Sequence, residues 1–296
     1  DIAEQMSSLT AEALGIRADD VVVASTGVIG QPLSITPIAK GIPNLAAALK
    51  RDGSGEACEA ILTTDTKKKE AAVAFTLGGK TCHLGGIAKG SGMIHPNMAT
   101  MLVFLTTDAA VSAEMLQKAL SGDVQKTFNM ISVDGDTSTN DMVAILANGL
   151  AGNKEITEED ADFTAFMEAL NTVTVQLCRM IAGDGEGATK LLECRVSGGL
   201  SEEDAKKIAK SVIASSLLKA AMFGEDANWG RVLCAVGYSG AGIDVQQVGV
   251  CFSSAAGEVT VCVNGAGVPF SEELAAKVLH EKEINILITV GERSTA

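Results

Sequence analysis

Gly85-Gly86-Ile87-Ala88-Lys89-Gly90-Ser91-Gly92-Met93-Ile94-His95-Pro96-Asn97-Met98-Ala99 is the stretch on which the fold turns. Four glycines and Pro96 argue against one regular element. After Thr100 the chain enters Met101-Leu102-Val103-Phe104-Leu105, whose length and apolar composition predict a buried strand. Upstream, residues 70–77 predict a strand entering the Gly78-Gly79 turn, residues 60–64 a second strand and residues 44–51 a helix. Val21-Val22-Val23-Ala24 reads as a short buried strand ending in Ser25-Thr26-Gly27-Val28-Ile29-Gly30, where two glycines permit a tight turn with exposed amides. Residues 2–14 carry apolar side chains at helical spacing and stop at Gly15, a good left-handed terminator.

Downstream, Ser112 caps a predicted helix to Leu120, and Thr157 with Asp160 three residues later opens a longer one from residue 158 towards 181. The chain then changes character at Gly183-Asp184-Gly185-Glu186-Gly187. Residues 190–196 alternate as a strand, Ser201 caps a helix running to about Phe223, residues 248–263 form a hairpin broken at Ala256-Gly257, and a helix from Glu272 precedes a strand at 284–290. Helices and strands interleave with no fixed repeat, so the class is α/β or α+β, with a boundary expected near residue 190.

Composition narrows function. The 296 residues are 47% hydrophobic but only 3% aromatic, enough for real cores filled by aliphatic side chains and poor in platforms for stacking bases. Lys and Arg number 23 against 37 Asp and Glu, a net charge of −14 and the wrong sign for neutralising phosphates. Lys67-Lys68-Lys69 reads as a solvated helix face rather than a binding patch. Seven cysteines lie far apart, with no C-x-x-C pair and an odd total, which argues for reduced thiols in a cytosol-like compartment. The three histidines have no metal-ligand spacing. No stretch approaches the apolar length of a membrane span, so no membrane is expected as a partner. A chain opening at Asp1 without Met is expected to start inside its gene product.

The glycines beside Lys89 lack the G-x-x-x-x-G-K-[ST] spacing of a phosphate loop, and the lysine precedes them. The acidic loop from Asp134 to Asp141 lacks the Gly and distal Glu of a calcium-binding hand, which leaves Asx-type turn bonding as its reading. On spacing alone, Thr100 merely opens a strand, Ser25-Thr26-Gly27 is a strand-ending turn, Lys89 is a surface lysine and Glu186 a turn residue.

Residues 89–102 as a block, however, resemble the self-processing motif of the ornithine acetyltransferases. So do Ser25 to Gly30, Leu62-Thr63-Thr64-Asp65-Thr66, Asp134 to Asp141, Gly185-Glu186-Gly187-Ala188-Thr189-Lys190 and Asn228-Trp229-Gly230-Arg231, which together span nearly the whole chain. The resemblance implies layered sheets and helices of the ornithine acetyltransferase or DmpA-like type. It implies a catalytic region over residues 1–190, cut between Ala99 and Thr100 into α (1–99) and β (100–296) chains, and a smaller α+β domain over 191–296. Thr100 becomes the nucleophile, and as a new amino terminus it carries its own base, an α-amine with a pKa of about 7.7–8.0. Thr26 and Gly27 supply the oxyanion hole; Thr63, Lys89, Thr100 and Glu186 bind substrate, the lysine meeting a carboxylate and the glutamate an amino group. The implied reaction moves acetyl from N-acetylornithine to glutamate without metal or organic cofactor, and some members also accept acetyl-CoA as donor. The implied enzyme is cytoplasmic, a heterotetramer of two α and two β chains. Family members extend beyond both ends of this chain, with a later Asn and a Ser or Thr joining the substrate site, and Ala227 stands where they often have Pro. The rival readings are an amino-terminal-nucleophile peptidase or amidase, and a non-catalytic small-molecule binding protein.

Overall fold

A computed structural model describes residues 1–95 and 101–291. Helix α1 (Ile2–Leu14) begins as its sequence dictates: the Asp1 carboxylate accepts the Glu4 amide at 2.9 Å, and Gly15 closes the helix at φ 68°. The strand expected at residues 21–24 does not form. This segment has no regular structure, and Val22 is 59% exposed, because among the described residues no strand lies beside it to take up its backbone groups. Helix α2 (Ile35–Ala47) starts well before the expected residue 44 and carries Pro43 inside. Ile35, Ile38 and Ile42 supply the helical spacing that the proline obscures. Helices α1 and α2 pack on each other, and their buried residues Ala11 and Ile42 join neither of the two main cores.

Helix α3 (Ser54–Ala60) occupies the approach to the strand expected at 60–64, which is replaced by a turn. Strands β1 (Lys69–Leu77), β2 (Lys80–Lys89), β3 (Leu102–Thr107) and β4 (Met142–Ala147) form the first sheet in that order, antiparallel except for the parallel β3–β4 pair. The strand β2 runs through Gly85 and Gly86, so the glycine-rich stretch is regular for its first five residues. The reason lies across the layer: a Cβ on Gly86 would come 2.4 Å from Leu105 and 3.2 Å from Leu177. Glycine there lets helix α5 (Ala161–Gly183) lie close to the sheet. The N-cap of α5 is Asp160, which accepts the Phe163 amide at 2.9 Å, so the helix starts later than Thr157 suggested. Helix α4 (Ala113–Val124), capped by Ser112, completes a core built on Val103, Leu105, Phe128, Phe166 and Leu170.

The second sheet has strands β5 (Leu191–Gly198), β6 (Val248–Ser254), β7 (Gly257–Val263), β8 (Ala266–Gly267) and β9 (Glu283–Val290) in the order β5-β9-β6-β7-β8. The single helix expected from Ser201 to Phe223 is two, α6 (Glu202–Ala214) and α7 (Ser216–Phe223). Ser215 breaks them with an extended backbone and caps the second through the Leu218 amide. With α8 (Trp229–Gly237) and α9 (Glu272–His280) they cover a second core around Val212, Phe252, Ile286 and Ile288. The fold class is mixed α/β with two sheets. No helix among the described residues is long and apolar enough to cross a membrane.

Candidate active site

The lysine run is not a solvated helix face. Lys67 and Lys68 are exposed, but Lys69 opens β1 fully buried, because its ammonium has two buried anions to meet. Its Nζ lies 2.7 Å from Asp65 and 2.6 Å from Asp184 at the end of α5. Asp184 also accepts the Thr66 amide at 2.9 Å and the Thr66 hydroxyl. Asp65 accepts the amides of Gly90 at 2.7 Å and Thr63 at 3.3 Å. Burial pushes both carboxyls up, but the hydrogen bonds and charge of Lys69, with the other donors, leave both below the ordinary carboxylate value. One buried cation thus joins the 63–66 turn, the end of β2 and the end of α5, and the expected substrate residues Thr63, Lys89 and Glu186 lie on or beside those segments.

Thr63 is attached through its amide to Asp65 and is exposed. Lys89, the last residue of β2, is 3% exposed, so it is not a surface lysine. Burial lowers its pKa and Lys69 adds to that effect, while Asp65 and Asp141 oppose it. Glu186 is exposed in the turn after α5, with its amide donating to the Ser91 carbonyl at 2.8 Å. A Cβ on Gly92 would stand 2.4 Å from Glu186 Oε2, so the glycine is what lets that carboxylate lie across the turn.

The far side of the turn is held by the acidic loop. Asp134 accepts the amides of Met93 at 2.5 Å, Ile94 at 3.0 Å and Asp136 at 3.1 Å, the last closing an Asx turn. The Thr137 hydroxyl donates to the His95 carbonyl at 3.0 Å. Beyond the undescribed residues, the Met101 amide donates to Asp141 and the Met101 carbonyl accepts the Met142 amide at 3.0 Å. Both flanks of residues 96–100 are therefore anchored to the same acidic loop. Ala99 and Thr100, the expected cleavage pair and nucleophile, lie outside the described residues.

Two groups escaped the sequence reading. Asp141 Oδ2 is buried with no hydrogen-bond partner among the described residues, and burial raises this carboxyl to about 7 against the Met101 amide and the Lys89 charge. His95 Nδ1 lies 2.9 Å from Ser132 Oγ, a Ser–His contact that wide sequence separation concealed. Burial, with Lys210 and Lys219, holds this imidazole below its ordinary value while Asp134 opposes them. Thr26 and Gly27 lie in the irregular segment between α1 and α2, with Gly27 exposed. Among the described residues no hydrogen bond connects either to Lys89, Thr63 or Glu186. Glu186 also borders a cavity of about 490 Å³ lined by residues such as Ile131, Val133, Cys178, Lys190 and Phe223, where the two sheets' layers meet.

A buried lysine precedes the anchored turn and an exposed glutamate packs against its Gly92. The ArgJ family model matches residues 1–296. The arginine biosynthesis bifunctional protein ArgJ of Symbiobacterium thermophilum is 55% identical over 95% of this chain and 69% of its own length. Its namesake from Caldanaerobacter subterraneus subsp. tengcongensis is 52% identical over 97% and 71%. The crystal structure of the arginine biosynthesis bifunctional protein ArgJ from Bacillus halodurans is 40% identical, with a TM-score of 0.58 over 64% of this chain and 86% of that one.

Proposed function

This chain belongs to the ArgJ family, and from that premise we propose that it is an acyltransferase of arginine biosynthesis working through Thr100. It acts as a glutamate N-acetyltransferase. Autoproteolysis of the Ala99–Thr100 bond yields chains 1–99 and 100–296, and the freed α-amine of Thr100 serves as base for its own hydroxyl. N-acetylornithine acetylates the hydroxyl and leaves as ornithine, and glutamate then takes the acetyl group. Thr26 and Gly27 donate to the oxyanion of each tetrahedral intermediate, a contribution of about 2.7–4 kcal/mol per donor in acyl transfer. Thr63, Lys89 and Glu186 hold the substrate's polar ends. The reaction needs no cofactor, although acetyl-CoA fits the same chemistry as a donor. Residues 1–190 form the catalytic region and 191–296 the smaller domain, and the processed enzyme is a cytoplasmic assembly of two α and two β chains.

The observation that carries this reading is the double anchorage of the 96–100 segment, by Asp134 on one side and Asp141 on the other, next to a buried lysine. Intact-mass spectrometry of the full-length protein tests it. Two chains meeting at Ala99 and Thr100 are expected, with Thr100→Ala intact and inactive in transfer from N-acetylornithine to glutamate. Full turnover by uncleaved Thr100→Ala would overturn the mechanism. The Ser132–His95 contact favours a second reading as a hydrolase with Ser132 as nucleophile. Loss of all activity in Ser132→Ala together with retention in Thr100→Ala would establish it instead.

A further inference from the structure

The β1–β2 ladder ends where Lys69 faces Ala88, so beyond it strand pairing does not hold the segment carrying Thr63 beside the one carrying Lys89. Lys89 itself stays paired with Leu102 on β3. One carboxylate spans the gap. Asp65 Oδ1 accepts the Gly90 amide, whose nitrogen is bonded to the Lys89 carbonyl carbon, at 2.7 Å, and Oδ2 accepts the Thr63 amide at 3.3 Å. The same Oδ1 lies 2.7 Å from Lys69 Nζ, whose other anion, Asp184, caps the end of α5. The Asp65 side chain is fully buried while Thr63 is exposed, so the anchor is withdrawn from solvent and the residue it holds is presented to it. A carboxylate that served only to neutralise Lys69 would need neither amide, and Asp184 already supplies one charge.

We propose that Asp65 is a positioning residue for substrate binding: through its two oxygens it sets the spacing between Thr63 and Lys89, and it stands as an anion facing Lys89. The inference rests on the reading of Thr63 and Lys89 as substrate contacts. Position matters because two groups grip one small ligand only at a fixed separation, and a misplacement of about 1 Å can cost on the order of a hundredfold. Charge matters because Lys89 is buried. Burial favours its neutral form, Asp65 opposes that, Lys69 adds to it and Asp141 opposes it. Among the described residues these are the charges that face it, from the 63–66 turn, the start of β1 and the acidic loop. Without its proton the lysine offers a substrate carboxylate no cation.

Asp65→Asn tests this. An amide oxygen at the Oδ1 position still faces Lys69 and the Gly90 amide, while the new NH2 group opposes the Thr63 amide and the charge is gone. KM for N-acetylornithine and glutamate is expected to rise about tenfold, with kcat within about twofold. The alkaline limb of kcat/KM should move down by about one pH unit, because Lys89 loses an anion that helps it keep its proton. Asp65→Glu keeps the charge and displaces both oxygens by one methylene, so KM rises while the alkaline limb stays at its wild-type pH. Val212→Ala, in the second core, controls for lost stability, with a lower Tm and wild-type KM. Wild-type KM in either folded Asp65 variant overturns the proposal, as does an alkaline limb that stays put in Asp65→Asn. Failure of both variants to fold overturns it too, since the carboxylate would then be structural. Lys89→Met separates the two levels of inference: if it raises KM and Asp65→Asn does not, only the role of Asp65 falls. Wild-type KM in Lys89→Met removes the substrate contact itself and this proposal with it.

Discussion

Replacing Lys69 by Met should destabilise the protein more than any exposed charge change. The side chains of Lys69 and Asp65 are fully buried and the Asp184 side chain is 5% exposed, with contacts of 2.7 and 2.6 Å. Methionine fills much of the same volume, so the cost comes from leaving two carboxylates without their cation, not from a cavity. Removing one partner of a buried ion pair costs about 3–5 kcal/mol, a large part of a typical total of about 5–15 kcal/mol. At about 2–4 °C per kcal/mol for a domain of this size, Tm should fall by about 6–20 °C. The pH dependence has a definite sign. Asp65 and Asp184 sit below their ordinary value of 3.8 in the folded protein, so their stabilisation is complete above that pH and is lost as pH falls through the lowered values. In Lys69→Met the orphaned carboxyls are raised by burial, and protonation relieves them. Acidification should therefore narrow the gap between the two melting temperatures. Calorimetry or circular dichroism from neutral pH into the acid range measures this. A neutral-pH loss under about 2 °C, or a gap that does not change with acid, would refute the argument.

Two further substitutions probe the proposed substrate contacts at the glycine turn. Gly92→Ala puts a methyl group where Glu186 Oε2 now lies, 2.4 Å from the added carbon, and the flexible carboxylate is the atom that gives way. Tm should stay within about 2 °C while KM for both amino-acid substrates rises several-fold; unchanged KM by steady-state kinetics would detach Glu186 from binding. Lys89→Met removes a buried ammonium next to that turn, and loss of a charged hydrogen bond worth about 1.5–3 kcal/mol predicts a rise of about 10–150-fold in KM. Acetylation of Thr100 by a small activated ester should persist, and wild-type KM for N-acetylornithine and glutamate would remove Lys89 from the substrate.

Much of the fold was legible locally. The helices at Ile2–Leu14 and Glu272–His280 and the strands from Lys69, Leu102 and Leu191 follow from caps, glycine stops and apolar period, which act within a few residues. Two of the failures share one cause. Val21-Val22-Val23 has every local mark of a strand but no strand beside it among the described residues, and Lys69 has every mark of a surface lysine until Asp184, 115 residues later, folds back to meet it. The split at Ser215 is of a different kind: Ser caps a helix as readily as it sits inside one, and only packing on the second core decides between them.

What the sequence determined by itself was the mixed α/β class and the family membership, and it offered Thr63, Lys89, Thr100 and Glu186 as candidate site residues. The tertiary structure decided how the described part of that list is held: the Lys69 ion triad behind Thr63 and Lys89, the Asp134 clamp on the glycine turn, and the bare oxygen of Asp141 beside the Thr100–Met101 peptide. Residue types reveal which groups can carry charge or attack a carbonyl. Burial and long-range hydrogen bonds reveal which of them are charged, at what pH, and against what, because desolvation and Coulomb energy depend on neighbours that the chain brings together only by folding.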